Sequence, residues 1–268
     1  MQGNLGMIRY FGFGSNLDMT SLRAKGVEPL SSQRATLPGW QLRFNVQHFF
    51  RHEGGVGNIE QTGDRHDRVL GVWHECPDDS LPALDQAEAR GVGYDRVVVD
   101  VETAAGIVPA FAYIGRPDFI DDSCLPSRRY MNILLRGARL AELDPAYIEQ
   151  LEHQPTLPVA DAPPFEHPPG YHPTFDTESL RAHPSCTALY GAVFDMSEAR
   201  PSHEYLKGLF GGRDMTLFHL QRMDSSNGSE TLDDIRHNRL DDAQRRYLNA
   251  YLQEYKREYR YIGRFEYY

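Results

Sequence analysis

Tyr10-Phe11-Gly12-Phe13-Gly14-Ser15-Asn16-Leu17 is the stretch on which the reading of this 268-residue chain turns. Residues 7–13 form a short aromatic and apolar run with strand composition. Gly14-Ser15-Asn16 then supplies small residues at a turn, and residues 18–23 are compatible with a helix. Where a strand passes through such a turn into a helix, consecutive backbone N–H groups can form an anion nest. The helix N-terminus adds partial positive charge, so a carboxylate or an oxyanion fits there. A glycine turn of this kind is also ordinary punctuation between a strand and a helix.

Working outward, residues 41–47, 68–73, 95–102 and 107–113 are rich in Val, Phe, Tyr and Trp with partial alternation, and read as strands. Residues 80–90 carry Leu81, Leu84 and Ala87 at helical spacing, and residues 127–141 place Tyr130, Ile133, Leu134 and Ala138 on one helical face. Strands that follow one another without regularly intervening helices predict an α+β fold, a mostly antiparallel sheet flanked by helices. Pro155, Pro158, Pro163, Pro164, Pro168, Pro169 and Pro173 mark residues 155–182 as a Pro-rich linker. It separates an N-terminal domain, 7–154, from a smaller C-terminal one, 183–268. In the latter, residues 188–196 read as a strand, 208–212 as a glycine-rich turn and 241–259 as an amphipathic helix opened by a capping box at Asp241 and Gln244. The stripe Leu248, Tyr251, Leu252, Tyr255 and Tyr259 on that helix is core packing.

A formal net charge of -10 argues against a nucleic-acid or anionic-membrane surface, since both need clustered Lys and Arg. The three cysteines, Cys76, Cys124 and Cys186, are odd in number and far apart, which suits reduced thiols in a cytoplasm and offers no metal-ligand spacing. No run approaches the roughly 20 apolar residues that a transmembrane helix needs. The expectation is a cytoplasmic protein without a transmembrane segment; the sequence leaves its oligomeric state open.

Glu88 lies in Leu84-Asp85-Gln86-Ala87-Glu88-Ala89-Arg90-Gly91-Val92-Gly93-Tyr94. A carboxylate near the end of an apolar-patterned helix, followed by a glycine-rich turn, can be partly desolvated and so tuned toward a general base. Taken alone, such a Glu is a solvated surface residue.

Four patches in order change that reading: the Tyr10 to Leu17 turn, Gly54-Gly55-Val56-Gly57-Asn58-Ile59, the Leu84 to Tyr94 helix and turn, and Pro126-Ser127-Arg128-Arg129-Tyr130 leading to Gly137-Ala138. Together with Leu37-Pro38-Gly39-Trp40 and Val69-Leu70-Gly71-Val72-Trp73, they resemble the γ-glutamyl cyclotransferase superfamily over nearly all of the first half. The resemblance implies a small, mixed, barrel-like sheet with flanking helices and Glu88 as the catalytic acid/base. It implies a substrate-binding turn at Phe13, Gly14, Ser15, Asn16 and Leu17, and a pocket tyrosine at Tyr130. Tyr94 either shapes the pocket or begins the next strand. Phe13 stands where the family signature usually has Tyr, which bears on substrate preference. The implied reaction cyclises a small γ-glutamyl compound to 5-oxoproline and releases an amino acid or amine, as in glutathione metabolism, with neither metal nor organic cofactor. The Gly-Ser-Asn-Leu form of the turn points to γ-glutamyl amino acids. The alternative is a catalytically idle small-ligand-binding or adaptor protein.

In the second half, Ala188-Leu189-Tyr190-Gly191-Ala192-Val193-Phe194-Asp195-Met196-Ser197, the run from Gly208 to Thr216, Leu232-Asp233-Asp234-Ile235 and Tyr261-Ile262-Gly263-Arg264 resemble the cytochrome b5-like haem/steroid-binding domain of the membrane-associated progesterone receptor type. Haem needs an axial ligand. The His-Pro-Gly-Gly motif is missing, and Lys207 stands where the steroid-receptor-like relatives carry a ligating Tyr; Tyr205 and His203 are nearby and could substitute, although a two-residue shift normally points a side chain elsewhere. Haem is therefore a possible but not the favoured ligand, and His219 and His237 read as surface or packing residues.

Overall fold

The computed structural model describes residues 6–159 and 162–267. The chain divides into two compact units, Met1–His48 with Glu53–Pro158, and Phe49–His52 with Val159–Tyr268.

The first unit contains β1 (Met7–Gly12), β2 (Ser31–Pro38), β3 (Trp40–Gln47), β4 (Gly55–Gln61), β5 (Arg68–Pro77), β6 (Tyr94–Thr103) and β7 (Gly106–Gly115), with helices α1 (Met19–Arg23), α2 (Leu81–Ala87), α3 (Arg128–Leu140) and α4 (Pro145–Glu152). Five strands close a barrel in the order β1-β5-β2-β6-β7, and β3 pairs with β4 in a separate two-stranded sheet. The barrel neighbours are antiparallel except at its closure, where Tyr10 of β1 meets Phe111 of β7 in parallel. Alternation drives this arrangement: Ala35 and Leu37, Val99 and Val101, and Ala110 and Ala112 turn inward with Phe11, Phe13 and Trp73, while the residues between them face out. A mixed α+β unit with a small closed sheet was the expectation for this half. The sequence pattern missed β2 and β4. Only Ala35 and Leu37 of β2 are buried hydrophobics, and the strand exists because it pairs with β5 along its whole length, from Ser31↔Glu75 to Pro38↔Arg68.

The junction after β1 is built by capping. Ser15–Leu17 form a single 3-10 turn, and the Asp18 side chain accepts the Ser21 N–H at 2.8 Å to start α1. Asp18 is buried, and Arg136 of α3 compensates its charge with two bonds of 2.6 and 2.9 Å. At the far side of the site α2 stops at Glu88, because Ala89 takes a positive φ of 47° that no helix continues through.

In the second unit the strands are β8 (Thr174–Phe175), β9 (Cys186–Leu189), β10 (Ala192–Asp195), β11 (Arg213–Asp214) and β12 (Arg260–Phe265), in the order β11-β9-β10-β12-β8. The helices are α5 (Thr177–Arg181), α6 (Glu204–Phe210), α7 (Thr216–Leu220), α8 (Leu232–Arg236) and α9 (Asp242–Glu258). The capping box at Asp241 and Gln244 is present, and the α9 stripe Leu248, Tyr251, Leu252 and Tyr255 is core, closing with Tyr259 over Phe50, Phe194 and Phe210.

Three expectations change here. Residues 188–196 are not one strand but parts of a hairpin, since Tyr190 and Gly191 take φ of 43° and 84° and reverse the chain. Gly208 lies inside α6 rather than in a turn. The stretch expected as linker to residue 182 already contains β8 and α5, the latter opened by a capping box between Asp176 and Ser179.

Candidate active site

Six residues named from the sequence come together in the first unit: Gly14, Ser15, Asn16, Glu88, Tyr94 and Tyr130. Asn16, buried in the turn, donates its amide N–H to Glu88 Oε1 at 2.9 Å and to the Tyr10 hydroxyl. The Glu88 side chain is 15% exposed, so water reaches it only partly.

Tyr130 organises the opposite wall. Its hydroxyl oxygen accepts the Gly57 N–H at 2.9 Å. Burial pushes its pKa up to about 12, although the backbone N–H groups of Gly57 and, to a lesser degree, Ser15 oppose the rise. A phenol whose oxygen already receives an N–H group still has its own proton to give. Glycine is required at two places beside this hydroxyl: a Cβ on Gly14 would lie 2.5 Å from it, and one on Gly57 would lie 2.7 Å away. Tyr94, which does begin β6, donates to the Gly57 carbonyl at 2.7 Å, so Gly57 is gripped through both its N–H and its C=O. Burial raises Tyr94 well above the ordinary phenol range, and burial followed by the neighbouring Glu88 carboxylate does the same to Tyr10.

Phe13 packs in the barrel core with its ring edge toward Gly57, and Leu17 belongs to the cluster around α3 that also holds Tyr130.

Two residues that pattern reading missed complete the site. Lys25 donates to Asn16 Oδ1 at 2.5 Å, to Ser15 Oγ at 3.2 Å and to Glu88 Oε1 at 3.3 Å. His74, fully buried on β5, stacks on Tyr10, contacts the Asn16 carbonyl through Nε2 at 3.3 Å and the Ser32 hydroxyl through Nδ1 at 2.8 Å. The only sequence signal for His74 was a histidine beside an apolar strand run. Lys25 carried none, because a lysine after a short helix is ordinarily solvated.

Burial lowers the His74 pKa from 6.5 to about 4. Between these values the unfolded chain binds more protons than the folded one, so stability falls as pH drops. The loss reaches about 3 kcal/mol by the lower end of the window. Urea melts at pH 7 and pH 4.5 should show wild type losing roughly 2–3 kcal/mol more than His74→Gln over this interval. Equal losses would assign the acid sensitivity to other groups.

In the second unit His203 is buried with Nδ1 against the Tyr259 hydroxyl (2.9 Å) and Nε2 against the Phe49 carbonyl (2.7 Å). Tyr205 stacks on Phe49, Lys207 pairs with Glu204, and His219 contacts the Tyr255 hydroxyl at 3.0 Å. His219 is thus a packing residue, while His237 is exposed. A cleft of about 630 Å³ in this unit is lined by other residues, Arg181, Arg213, Asp214 and Tyr267 among them. His203, the histidine closest to the expected ligand position, has both ring nitrogens committed to protein partners. Among the described residues there is also no cluster of three or more His, Cys, Asp or Glu suited to a metal ion, and no helix long and apolar enough to cross a membrane.

Residues 68–151 match the AIG2-like family. The γ-glutamyl cyclotransferase aclK of Aspergillus oryzae is 23% identical over 168 residues, 55% of this chain and 61% of that protein. The γ-glutamyl cyclotransferase gliK of Claviceps purpurea is 27% identical over 141 residues, 50% of this chain and 64% of that protein. The chain therefore spans less than two thirds of the length of these relatives. A solved structure described as γ-glutamyl cyclotransferase superposes with a TM-score of 0.50 at 25% identity, covering 57% of this chain and 90% of its own. An uncharacterized protein from Homo sapiens shares the fold, with a TM-score of 0.50 at 24% identity over 57% of this chain and 91% of its own. The N-terminal part is thus similar to the AIG2-like and γ-glutamyl cyclotransferase superfamily. No corresponding likeness to a cytochrome b5-like domain is shown for residues 183–268.

Proposed function

We propose that the first unit is a γ-glutamyl cyclotransferase acting on a small γ-glutamyl compound, with Glu88 as its acid/base. The observation that carries this reading is the juxtaposition, across 72 positions of sequence, of the Glu88 carboxylate with the Asn16 amide at 2.9 Å. That contact sets a half-buried proton acceptor beside a turn and a tyrosine hydroxyl able to hold an oxygen.

In this reading the substrate's α-ammonium gives a proton to Glu88, and the freed amine attacks the γ-carbonyl carbon of its own chain. A C–N bond closes the five-membered ring, Glu88 passes its proton to the departing nitrogen as the C–N bond to the leaving group breaks, and it then takes the second proton from the ring nitrogen and hands it to the released amine, which leaves as an ammonium while the ring keeps one N–H. Closure within one molecule supplies much of the rate, because the reacting atoms need only be held in the right rotamer. Tyr130, with its oxygen held by the Gly57 N–H and its proton available, is the donor for the developing oxyanion. Backbone at Gly14 and Asn16 lies beside it for the α-carboxylate. Both proton transfers run through Glu88 and call for no cofactor, and we read the second unit as a module that does not use haem.

The test is a panel of γ-glutamyl dipeptides, γ-glutamylamines and glutathione incubated with the purified chain, with 5-oxoproline followed by mass spectrometry. Formation from γ-glutamyl dipeptides at the highest kcat/KM is expected. A folded protein that forms none from any member of the panel replaces this reading with that of a non-catalytic small-ligand-binding protein.

A further inference from the structure

We propose that Lys25 is a positioning residue of this site, holding the Asn16 amide and the Glu88 carboxylate in the one arrangement that proton transfer can use. Its kinetic consequence rests on the cyclotransferase reading above.

An ammonium has three N–H donors and no acceptor. Here three acceptors surround it, Asn16 Oδ1, Ser15 Oγ and Glu88 Oε1, and the lysine side chain that delivers it is only 13% exposed. A lysine placed for solubility keeps its head in water. One placed to complement a helix dipole near a C-terminus addresses the last carbonyls of that helix. The bonds that Lys25 makes to Ser15, Asn16 and Glu88 instead go to side chains of the turn and of the exit from α2.

The consequence concerns the Asn16 amide, whose two ends differ in hydrogen-bonding sign. Lys25 can only donate, so it fixes Oδ1 toward itself; the ionised Glu88 can only accept, so it fixes Nδ2 on the other side. Turning the amide over would set donor against donor at Lys25 and acceptor against acceptor at Glu88, in a pocket where Asn16 is buried and water cannot repair the mismatch. Lys25 and Asn16 also reach the same carboxylate oxygen, Oε1, so they grip Glu88 by one edge and select its rotamer. Residues on three separate segments become one charge-assisted network, in which each bond orients the next.

Wild type, Lys25→Met and Lys25→Arg should be compared on the best γ-glutamyl substrate. In parallel, the exchange rate of the Asn16 side-chain amide protons should be followed by NMR, with the signal identified by its absence in Asn16→Asp. Lys25→Met is expected to lower kcat about 10- to 100-fold with KM within about threefold, the range for loss of a charge-assisted hydrogen bond that acts on the reacting arrangement. Lys25→Arg should recover most of the rate, and the Asn16 amide should exchange at least about tenfold faster in Lys25→Met as its restraint is lost. Wild-type turnover in Lys25→Met overturns the proposal, as does an equal rate loss in both variants with the amide unchanged. If wild type itself makes no 5-oxoproline, the cyclotransferase reading fails. The amide exchange then decides on Lys25 alone: faster exchange in Lys25→Met upholds it, and an unchanged rate overturns it.

Discussion

Glu88→Gln is expected to lower kcat for 5-oxoproline formation by about 10²- to 10⁴-fold, the contribution of a positioned general acid/base. The substitution isolates the chemistry because glutamine keeps the shape and one carbonyl oxygen. The Asn16 N–H at 2.9 Å and the Lys25 ammonium at 3.3 Å can both still donate to that oxygen. What disappears is the capacity to take a proton from an ammonium and return it to a leaving nitrogen. KM should stay within about threefold, since the interactions lost belong to the transition state. Mass spectrometry of the product, with a thermal melt to show that the variant is folded, checks this. Turnover within tenfold of wild type would remove Glu88 from the role of base.

The second large effect is structural. Gly137→Ala in α3 should destabilise the first unit by about 2–3 kcal/mol, because overpacking a close contact costs this much. In an exposed helix the same change would stabilise by roughly 1 kcal/mol through propensity. Here the sign reverses. The added Cβ would lie 2.5 Å from the Leu17 carbonyl carbon and 2.7 Å from the Leu17 Cβ, and backbone cannot yield as a flexible side-chain tip can. A fall in Tm of about 5–10 °C is expected for a unit of this size. Activity should fall further than folding alone accounts for, because Leu17 follows Asn16 directly. A variant at least as stable as wild type would show that the helix and the turn are not in such close register.

How far the sequence reached depends on how local each determinant is. The turn at Gly14 to Asn16, the face of α3 and the capping box of α9 rest on residues within one or two turns of chain, and periodicity and capping chemistry expose them. β2 rests on a partner strand, because its polar residues Ser31, Ser32 and Gln33 acquire strand geometry only from β5. The hairpin at Tyr190-Gly191 could have been read from the glycine, but the apolar run through it hid the reversal. In the site, the family resemblance named Glu88 and Tyr130, where the local pattern alone left Glu88 a surface residue. Lys25 and His74 were missed: Lys25 reaches Glu88 63 positions away and His74 reaches Asn16 58 positions away, and neither contact follows from a helical or strand period.

Phe50 has a consequence for the order in which the chain is made. It lies early in the sequence, yet it is buried with Phe210, Tyr251 and Tyr255 in the core of the second unit, and Arg51 bonds to a residue 203 positions later. At a synthesis rate of about 5–20 residues per second, Phe50 waits roughly 10–40 s for α9 to be produced. The first unit can form its barrel during that interval with a large aromatic side chain held in reserve. The second core closes only once α9 has been made, which sets its assembly after that of the barrel.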